Sequence, residues 1–398
     1  MKPQFSLTDE QQMIKETVRK FGAEKIRPVA QEYEESQTYP ANELRKAAEL
    51  DLVAPNVPEK YGGAEMDVLS ELLVTEELWR ADPGVGGSIA AARFGTEMLL
   101  KYGDEWMCEE WLPEITAGKT PIATAISEPA HGSNVAGMET RAERNSTEEA
   151  SADPSKATAS KDGDEYVVNG QKMWITNGTV ADVAIVMAKT DPEAGHEGIT
   201  AFLTPTDVNG YEARRIDNKL GIKAQDTAEI VFDDLRIPAE NIVGEAGRGF
   251  YQLMEFFAPA RADVAAQATG VAQAALDASL EYATEREQFD RPIADFQAIR
   301  HKLAEMATNV EAARSLTYRA AAALESGNDA EATRMASMAK LFASEHAVDV
   351  TDEAIQIHGG AGYVSDHPVE RFYRDARVTK IYDGTSEIQK NIIAKELL

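Results

Sequence analysis

Tyr166-Val167-Val168-Asn169-Gly170-Gln171-Lys172-Met173-Trp174-Ile175-Thr176-Asn177-Gly178 is the stretch on which the fold turns. Upstream, from Thr8 to about Gly118, apolar residues recur at helical spacing, as in Met13, Ile14, Val18 and Phe21 and again in Leu69, Leu72, Leu73 and Leu78. Breaks at Pro28, Pro40, Pro58, Gly62-Gly63 and Pro83-Gly84 cut that region into several helices. In the quoted stretch the rhythm changes to short alternating runs, repeated in Val183-Ala184-Ile185-Val186, Ile199-Thr200-Ala201-Phe202-Leu203 and Ile230-Val231-Phe232. Asn169-Gly170, between two such runs, predicts a tight hairpin. Residues 121–240 therefore read as a β domain, a barrel or sandwich, preceded by a helical domain over 1–120.

From Gly247 onward long Ala-rich helical patterns return, punctuated at Pro292, Gly327-Asn328, Gly359-Gly360 and Gly384. Helices of about 30 residues joined by short breaks predict an antiparallel four-helix bundle over 241–398. The class is α+β. Asn145 to Lys161, rich in Ser, Ala, Thr and acid without periodicity, reads as a solvated insertion in a hairpin loop.

Composition narrows the function. A chain of 398 residues with 43% hydrophobic content buries a large core. Neither a signal segment nor a membrane span is expected, and the protein reads as cytoplasmic. A single cysteine, Cys108, excludes an internal disulfide, and six scattered histidines offer no metal site. A net charge of -28 repels nucleic acid and anionic membranes. It also strains the compact state unless salt screens it, so the reading is of a halophilic protein.

Near the end stands Lys380-Ile381-Tyr382-Asp383-Gly384-Thr385-Ser386-Glu387-Ile388-Gln389, a carboxylate beside a glycine at the mouth of a helix. A base facing a substrate fits there, and so does a plain helix cap, because Ser386-x-x-Gln389 has the form of a capping box. Gly360-Ala361-Gly362-Tyr363-Val364-Ser365 lacks the third glycine of a dinucleotide fingerprint, which disfavours a nicotinamide.

Five motifs in register, Thr124-Ala125-Ile126-Ser127-Glu128-Pro129-Ala130-His131-Gly132-Ser133-Asn134, Trp174-Ile175-Thr176-Asn177-Gly178, Arg286-Glu287-Gln288-Phe289, Gln356-Ile357-His358-Gly359-Gly360-Ala361-Gly362-Tyr363 and Tyr382-Asp383-Gly384-Thr385, resemble the acyl-CoA dehydrogenase family over essentially the whole chain. The resemblance implies FAD held between the β domain and the bundle, an acyl-CoA substrate in fatty acid metabolism, and electrons passed to an electron-transfer flavoprotein. It implies a homotetramer, at least a homodimer. Removing hydrogen from a Cα–Cβ bond beside a thioester needs a base, donors for the enolate-like oxygen and a hydride acceptor, which side chains cannot supply and a cofactor must.

By resemblance, Ser127 lies at the flavin ring edge, and Ser133 near both the FAD pyrophosphate and the acyl-CoA. Trp174, Ile175 and Thr176 pack on the flavin, although the strand pattern alone favours a core tryptophan. Arg286 clamps a pyrophosphate in a neighbouring subunit, where its planar fork suits phosphate oxygens, or else it is a surface arginine paired with Glu285 or Glu287. Phe289 and Gln297 follow at the adenosine half. Gln356, Gly359 and Gly360 form the glycine break pressed against the cofactor, and Thr385 and Glu387 complete the FAD set. Arg261 and Gly384 line the acyl-CoA site, Arg261 having an interhelical ion pair as its plainer alternative.

Asp383 is the base by the same resemblance, where most members carry Glu. Members that place a Glu on the earlier helix do so at the position of Ala260, so Asp383 is the base available. Its side chain is shorter by one carbon–carbon bond, about 1.5 Å, which a ring or branch at the substrate's α carbon would offset. Glu387 and Glu255 are the next candidates. Two other readings remain: an oxidase on this scaffold, acting on an acyl-CoA or a nitroalkane, and a non-catalytic flavin or acyl-CoA binder.

Overall fold

A computed structural model describes residues 7–145 and 164–398. The insertion predicted at Asn145 to Lys161 falls almost wholly on 146–163, outside the described residues. Seven helices come first: α1 (Asp9–Phe21), α2 (Ala30–Ser36), α3 (Ala41–Ala48), α4 (Val68–Ala81), α5 (Val85–Ala91), α6 (Thr96–Tyr102) and α7 (Glu105–Thr116). Thr8 opens α1 with a capping box: its hydroxyl accepts from the Gln11 amide at 3.2 Å and its own amide donates to the Gln11 side chain at 3.1 Å. Val18 and Phe21 of this helix are buried, whereas Met13 faces solvent.

One seven-stranded sheet follows, from β1 (Ile122–Ala125), β2 (Arg141–Asn145), β3 (Glu165–Thr176), β4 (Val183–Lys189), β5 (Ile199–Pro205), β6 (Tyr211–Arg215) and β7 (Thr227–Pro238), in the order β1-β4-β2-β3-β7-β6 with β5 on β4. The sheet curls on itself: Tyr166 of β3 packs 5.0 Å from the ring of Phe202 of β5, although those strands are not neighbours. Ala142, Val168, Val186, Ile230 and Phe232 fill the same interior. The outer face of β1, β4 and β5 is covered by Met98, Leu99, Met107 and Leu112. Burial on both faces is why Val183 to Ala188 reads as an unbroken apolar run.

The hairpin predicted at Asn169-Gly170 does not form. β3 runs straight through it, paired with β7 on both sides, and the register slips between Val168↔Leu235 and Gly170↔Phe232. Asp234 takes up the slack at φ 52°, held by Asn169, whose side-chain oxygen accepts its amide at 2.8 Å. Gly170, at φ 153°, is required by close approach: a Cβ there would lie 2.5 Å from the Thr140 hydroxyl. Asn-Gly marks a bulge here, which periodicity and turn chemistry do not separate from a turn.

The bundle consists of α8 (Gly249–Glu285), the short β8 (Glu287–Gln288) and β9 (Arg291–Pro292), α9 (Gln297–Glu325), α10 (Asp329–His358), α11 (Val369–Ala376) and α12 (Ser386–Leu397). Its small residues let helices approach closely, and at Gly270 of α8 a Cβ would meet the Glu76 carbonyl of α4 at 2.3 Å. The N-terminal helices and the bundle accordingly share one core, with Leu72, Leu78 and Trp79 against Ala262, Val271, Met306 and Ala336. Buried charges pin this contact. Glu76 pairs with Arg314 of α9 at 3.0 Å and with Lys15 of α1 at 3.2 Å.

Candidate active site

The turn before α12 carries the carboxylate singled out in the sequence. Asp383 sits at φ 50° and Gly384 at φ 89°, a left-handed pair that Asp and Gly tolerate better than other residues. The cap of α12 is Thr385, whose hydroxyl accepts the Ile388 amide at 3.4 Å. The capping box predicted at Ser386 and Gln389 is therefore corrected by one residue. Ser386 instead donates to Glu345 at 2.6 Å, and Gln389 turns back to donate to the carbonyls of Asp383 and Gly384 at 3.1 and 2.8 Å. Lys340, fully buried on α10, donates to the Gly384 carbonyl at 2.7 Å. Main-chain carbonyls, not the Asp383 side chain, take up these donors.

The Asp383 carboxyl is thus left free, and no donor among the described residues hydrogen-bonds it. Burial pushes it up from its ordinary 3.8 to about 6, Lys340 and Arg261 pull it down, and Asp263 pushes it up. Arg261 is 6% exposed and lies against the Phe257 ring. Among the described residues its Nε has no partner, and burial drags its guanidinium down to about 10. The interhelical ion pair is not formed among the described residues, which leaves a buried donor for something else. Lys340 is held down to about 8, mainly by burial.

A second group lies on the sheet. The Met173 amide donates to the Ser127 carbonyl at 2.9 Å, which brings Ser127 beside Trp174, Ile175 and Thr176. Trp174, at φ 66°, is swung out of the strand and is 63% exposed, while Ile175 is buried. The core reading of Trp174 fails, and a flat apolar indole faces outward. Lys172, fully buried, donates to the Ile126 carbonyl at 3.0 Å and to Glu128 at 2.9 Å. Glu128 in turn accepts the Thr140 amide at 3.0 Å, so both ends of the loop carrying Ser127 and Ser133 are anchored. Ser133 itself is exposed.

The third group is remote from the first. Arg286 ends α8, 25 residues beyond Arg261 (286 − 261), or about 37 Å at 1.5 Å per residue. Arg286, Phe289 and Gln297 stand exposed, Phe289 at φ 54°. Gln356, Gly359 and Gly360 are exposed at the end of α10, and a Cβ on either glycine would meet nothing within 4 Å. Tyr282 stacks on His358 at 4.2 Å, which joins the ends of α8 and α10. Glu387 is exposed, and Glu255 is engaged by Lys101 and Tyr102 instead of facing Asp383.

Sequence reasoning missed Lys340, Lys172 and Asp263. Each owes its role to partners tens or hundreds of positions away, and no local pattern marks it. Glu128 lay inside a quoted motif, and its two-sided anchoring was the missed signal.

Comparison with known proteins agrees with this layout. The descriptions "Acyl-CoA dehydrogenase, N-terminal domain", "middle domain" and "C-terminal domain" match residues 8–119, 123–235 and 247–398. The mitochondrial short-chain specific acyl-CoA dehydrogenase of Rattus norvegicus is 39% identical over 98% of this chain and 91% of its own length. The butyryl-CoA dehydrogenase of Megasphaera elsdenii superposes with a TM-score of 0.91 at 37% identity, covering 99% of this chain and all of the other. A glutaryl-CoA dehydrogenase from Mycobacterium smegmatis in complex with FADH2 gives 0.87 at 30% identity, over 98% and 95%. A curled sheet flanked by helical domains is the frame of a flavin-dependent dehydrogenase. The chain belongs to the acyl-CoA dehydrogenase family and is an FAD-dependent oxidoreductase.

The residues fit that cofactor. Trp174 offers an exposed aromatic face, Arg286 an exposed fork suited to phosphate, and Gly359 and Gly360 a backbone open to close approach.

Proposed function

We propose that the protein removes the α proton and β hydride of an acyl-CoA thioester, giving the trans-2-enoyl-CoA, with Asp383 as the base. The observation that carries this reading is the Asp383 carboxyl itself: it has no hydrogen bond among the described residues, is not the helix cap, and is raised by burial to about 6 despite two nearby cations. A base poised there is largely ionised at neutral pH yet strong enough to accept a proton. Trp174, Ile175 and Thr176 would hold one face of FAD, which when bound supplies the acceptor for the β hydride. Arg261 and the amides of the Asp383-Gly384 turn supply donors toward the thioester end of the substrate.

Arg286 stands about 37 Å along α8 from Arg261, which supports a cofactor site completed by a neighbouring chain. The assembly is then at least a dimer, and the family suggests a tetramer. Electrons pass on to an electron-transfer flavoprotein. The short acid at 383 favours a substrate branched or ringed at the α carbon, and cyclohexanecarboxyl-CoA is its probe.

Anaerobic addition of acyl-CoAs to the holoenzyme tests the reading. The flavin of the wild type bleaches. Asp383→Asn stays yellow and unbleached, slower by at least about 100-fold. Retained bleaching in that variant refutes Asp383 as the base, and fast reaction confined to straight chains refutes the α-branched preference.

A further inference from the structure

Among the described residues, the charges that act on Asp383 are those of Lys340, Arg261 and the carboxylate of Asp263 on α8. Asp263 is tied to the turn through side chains. The Tyr382 hydroxyl donates to the Gln267 carbonyl oxygen, and the Gln267 amide donates to Asp263 Oδ2 at 2.7 Å. The other oxygen, Oδ1, accepts from Thr75 of α4 at 2.7 Å and from Arg93 Nη2 at 2.7 Å. Arg93 is 5% exposed and is shared with Glu71 of α4 at 2.6 Å and Glu97 of α6 at 2.7 Å. A relay therefore runs from the buried charge cluster between the N-terminal helices and α8 to the residue adjoining the base.

We propose that Asp263 is a positioning residue for this reaction: its relay through Gln267 and Tyr382 fixes the turn that carries the base, and its negative charge opposes those of Arg261 and Lys340 there. This rests on Asp383 being the base. The census of charge around the two acids gives the direction. Asp383 faces Arg261 from α8 and Lys340 from α10, both of which favour its ionised form, against Asp263, which disfavours it. Lys340 also feels Glu345 on its own helix and Glu387 on α12. Asp263 faces Arg93, and Arg93 keeps Glu71 and Glu97 when Asp263 is neutral. Glu71 is itself pushed up, to about 7, chiefly by burial, and sits across Arg93 in every variant. Removing the charge of Asp263 therefore leaves the cations less opposed, so Asp383 loses its proton more readily and accepts one less well.

The test is the pH profile of anaerobic flavin bleaching in the holoenzyme with a single acyl-CoA, for Asp263→Asn, Asp263→Ser and Asp263→Glu. Bleaching is lost as pH falls through the Asp383 titration. In both neutral variants the acid limb moves down by about half a unit to one unit, the size of a single charge acting through a partly screened interior, and the plateau rate falls several-fold because a weaker base remains. Asp263→Glu, which keeps the charge, leaves the limb in place. Ser is smaller than the native side chain and creates no clash, so it serves where Asn fails to fold.

Equal movement in variants of unlike shape ties the effect to charge. A plateau that falls with the limb unmoved, or a limb that moves in Asp263→Glu as much as in the neutral variants, overturns the inference. Asp383→Asn run in parallel separates the two failures: residual bleaching there sinks the base assignment, whereas a dead Asp383→Asn with an unmoved limb in the Asp263 variants sinks only the role of Asp263.

Discussion

A carboxyl raised by burial weakens the fold that holds it, and Asp383→Asn measures by how much. In the folded chain the group titrates at about 6 against an ordinary 3.8. At 1.36 kcal/mol per pKa unit, ionising it inside the protein costs about 3 kcal/mol more than in the unfolded chain. The side chain keeps some contact with solvent, so the expected gain on removing it is about 1–3 kcal/mol. The sign follows from the raised pKa. Below about 4 the acid is protonated in both states and imposes no penalty. Stability is lost as pH rises from 4 through 6, and the full penalty stands at pH 8. Asn mimics the protonated acid, so the variant melts higher than wild type at pH 8, by about 1–2 °C per kcal/mol for a chain of this size. The two converge as pH approaches 4. Thermal melts of both proteins at fixed flavin and salt, from pH 4.5 to 8, give the comparison. A variant that melts lower at pH 8, or a difference that does not change with pH, refutes the assignment of a free, partly buried, ionised carboxyl at this turn.

Lys340→Met removes the donor on the Gly384 carbonyl and a cation that holds Asp383 down. The acid limb of turnover is expected to move to higher pH and kcat to fall about 10-fold or more as the turn loosens. The melting temperature should fall, because removing one partner leaves the Asp383 carboxylate and the Gly384 carbonyl less compensated; a limb moving to lower pH contradicts the charge census. Gly360→Ala adds a methyl group that meets nothing within 4 Å in the chain, so folding is expected to be unchanged while flavin is lost on gel filtration. Full flavin retention would show that nothing approaches that glycine. With a net charge of -28, the melting temperature should rise between low and molar KCl, and equal melting at both would remove the halophilic reading.

The parts of the fold legible in the sequence are those written in short-range rhythm. Helical spacing around Val18 and Leu72, alternation around Ile230 and the unbroken run at Val183 each reflect one face or two faces meeting a core. Asn169-Gly170 forms a bulge where a hairpin is predicted because a turn and a bulge ask the same thing of glycine, a backbone conformation or an approach that a side chain forbids. The site divides in the same way. Asp383, Arg261 and Trp174 stand out as residues in recognisable local patterns, but the groups that set their chemistry come from elsewhere in the chain. Lys340 is 43 positions before Asp383 (383 − 340) and Asp263 is 120 before it (383 − 263), each on a helix whose sequence gives no hint of a polar partner.

Asp383 is released from the cap of α12 by the same division of labour. A helix start needs an acceptor for its free amides, and Asp is a strong choice, so a carboxylate at this point would ordinarily be consumed by the cap. Here the left-handed turn at Asp383 and Gly384 displaces the helix start by two residues, and Thr385 accepts the amide instead. Gln389 and Lys340 then saturate the carbonyls of the turn, so its backbone is fixed without any call on the carboxylate. Fixing the main chain while leaving the acid unbonded is what keeps the group both placed and basic. A carboxylate receiving those same donors would be equally well held and too weak a base to take a proton from carbon.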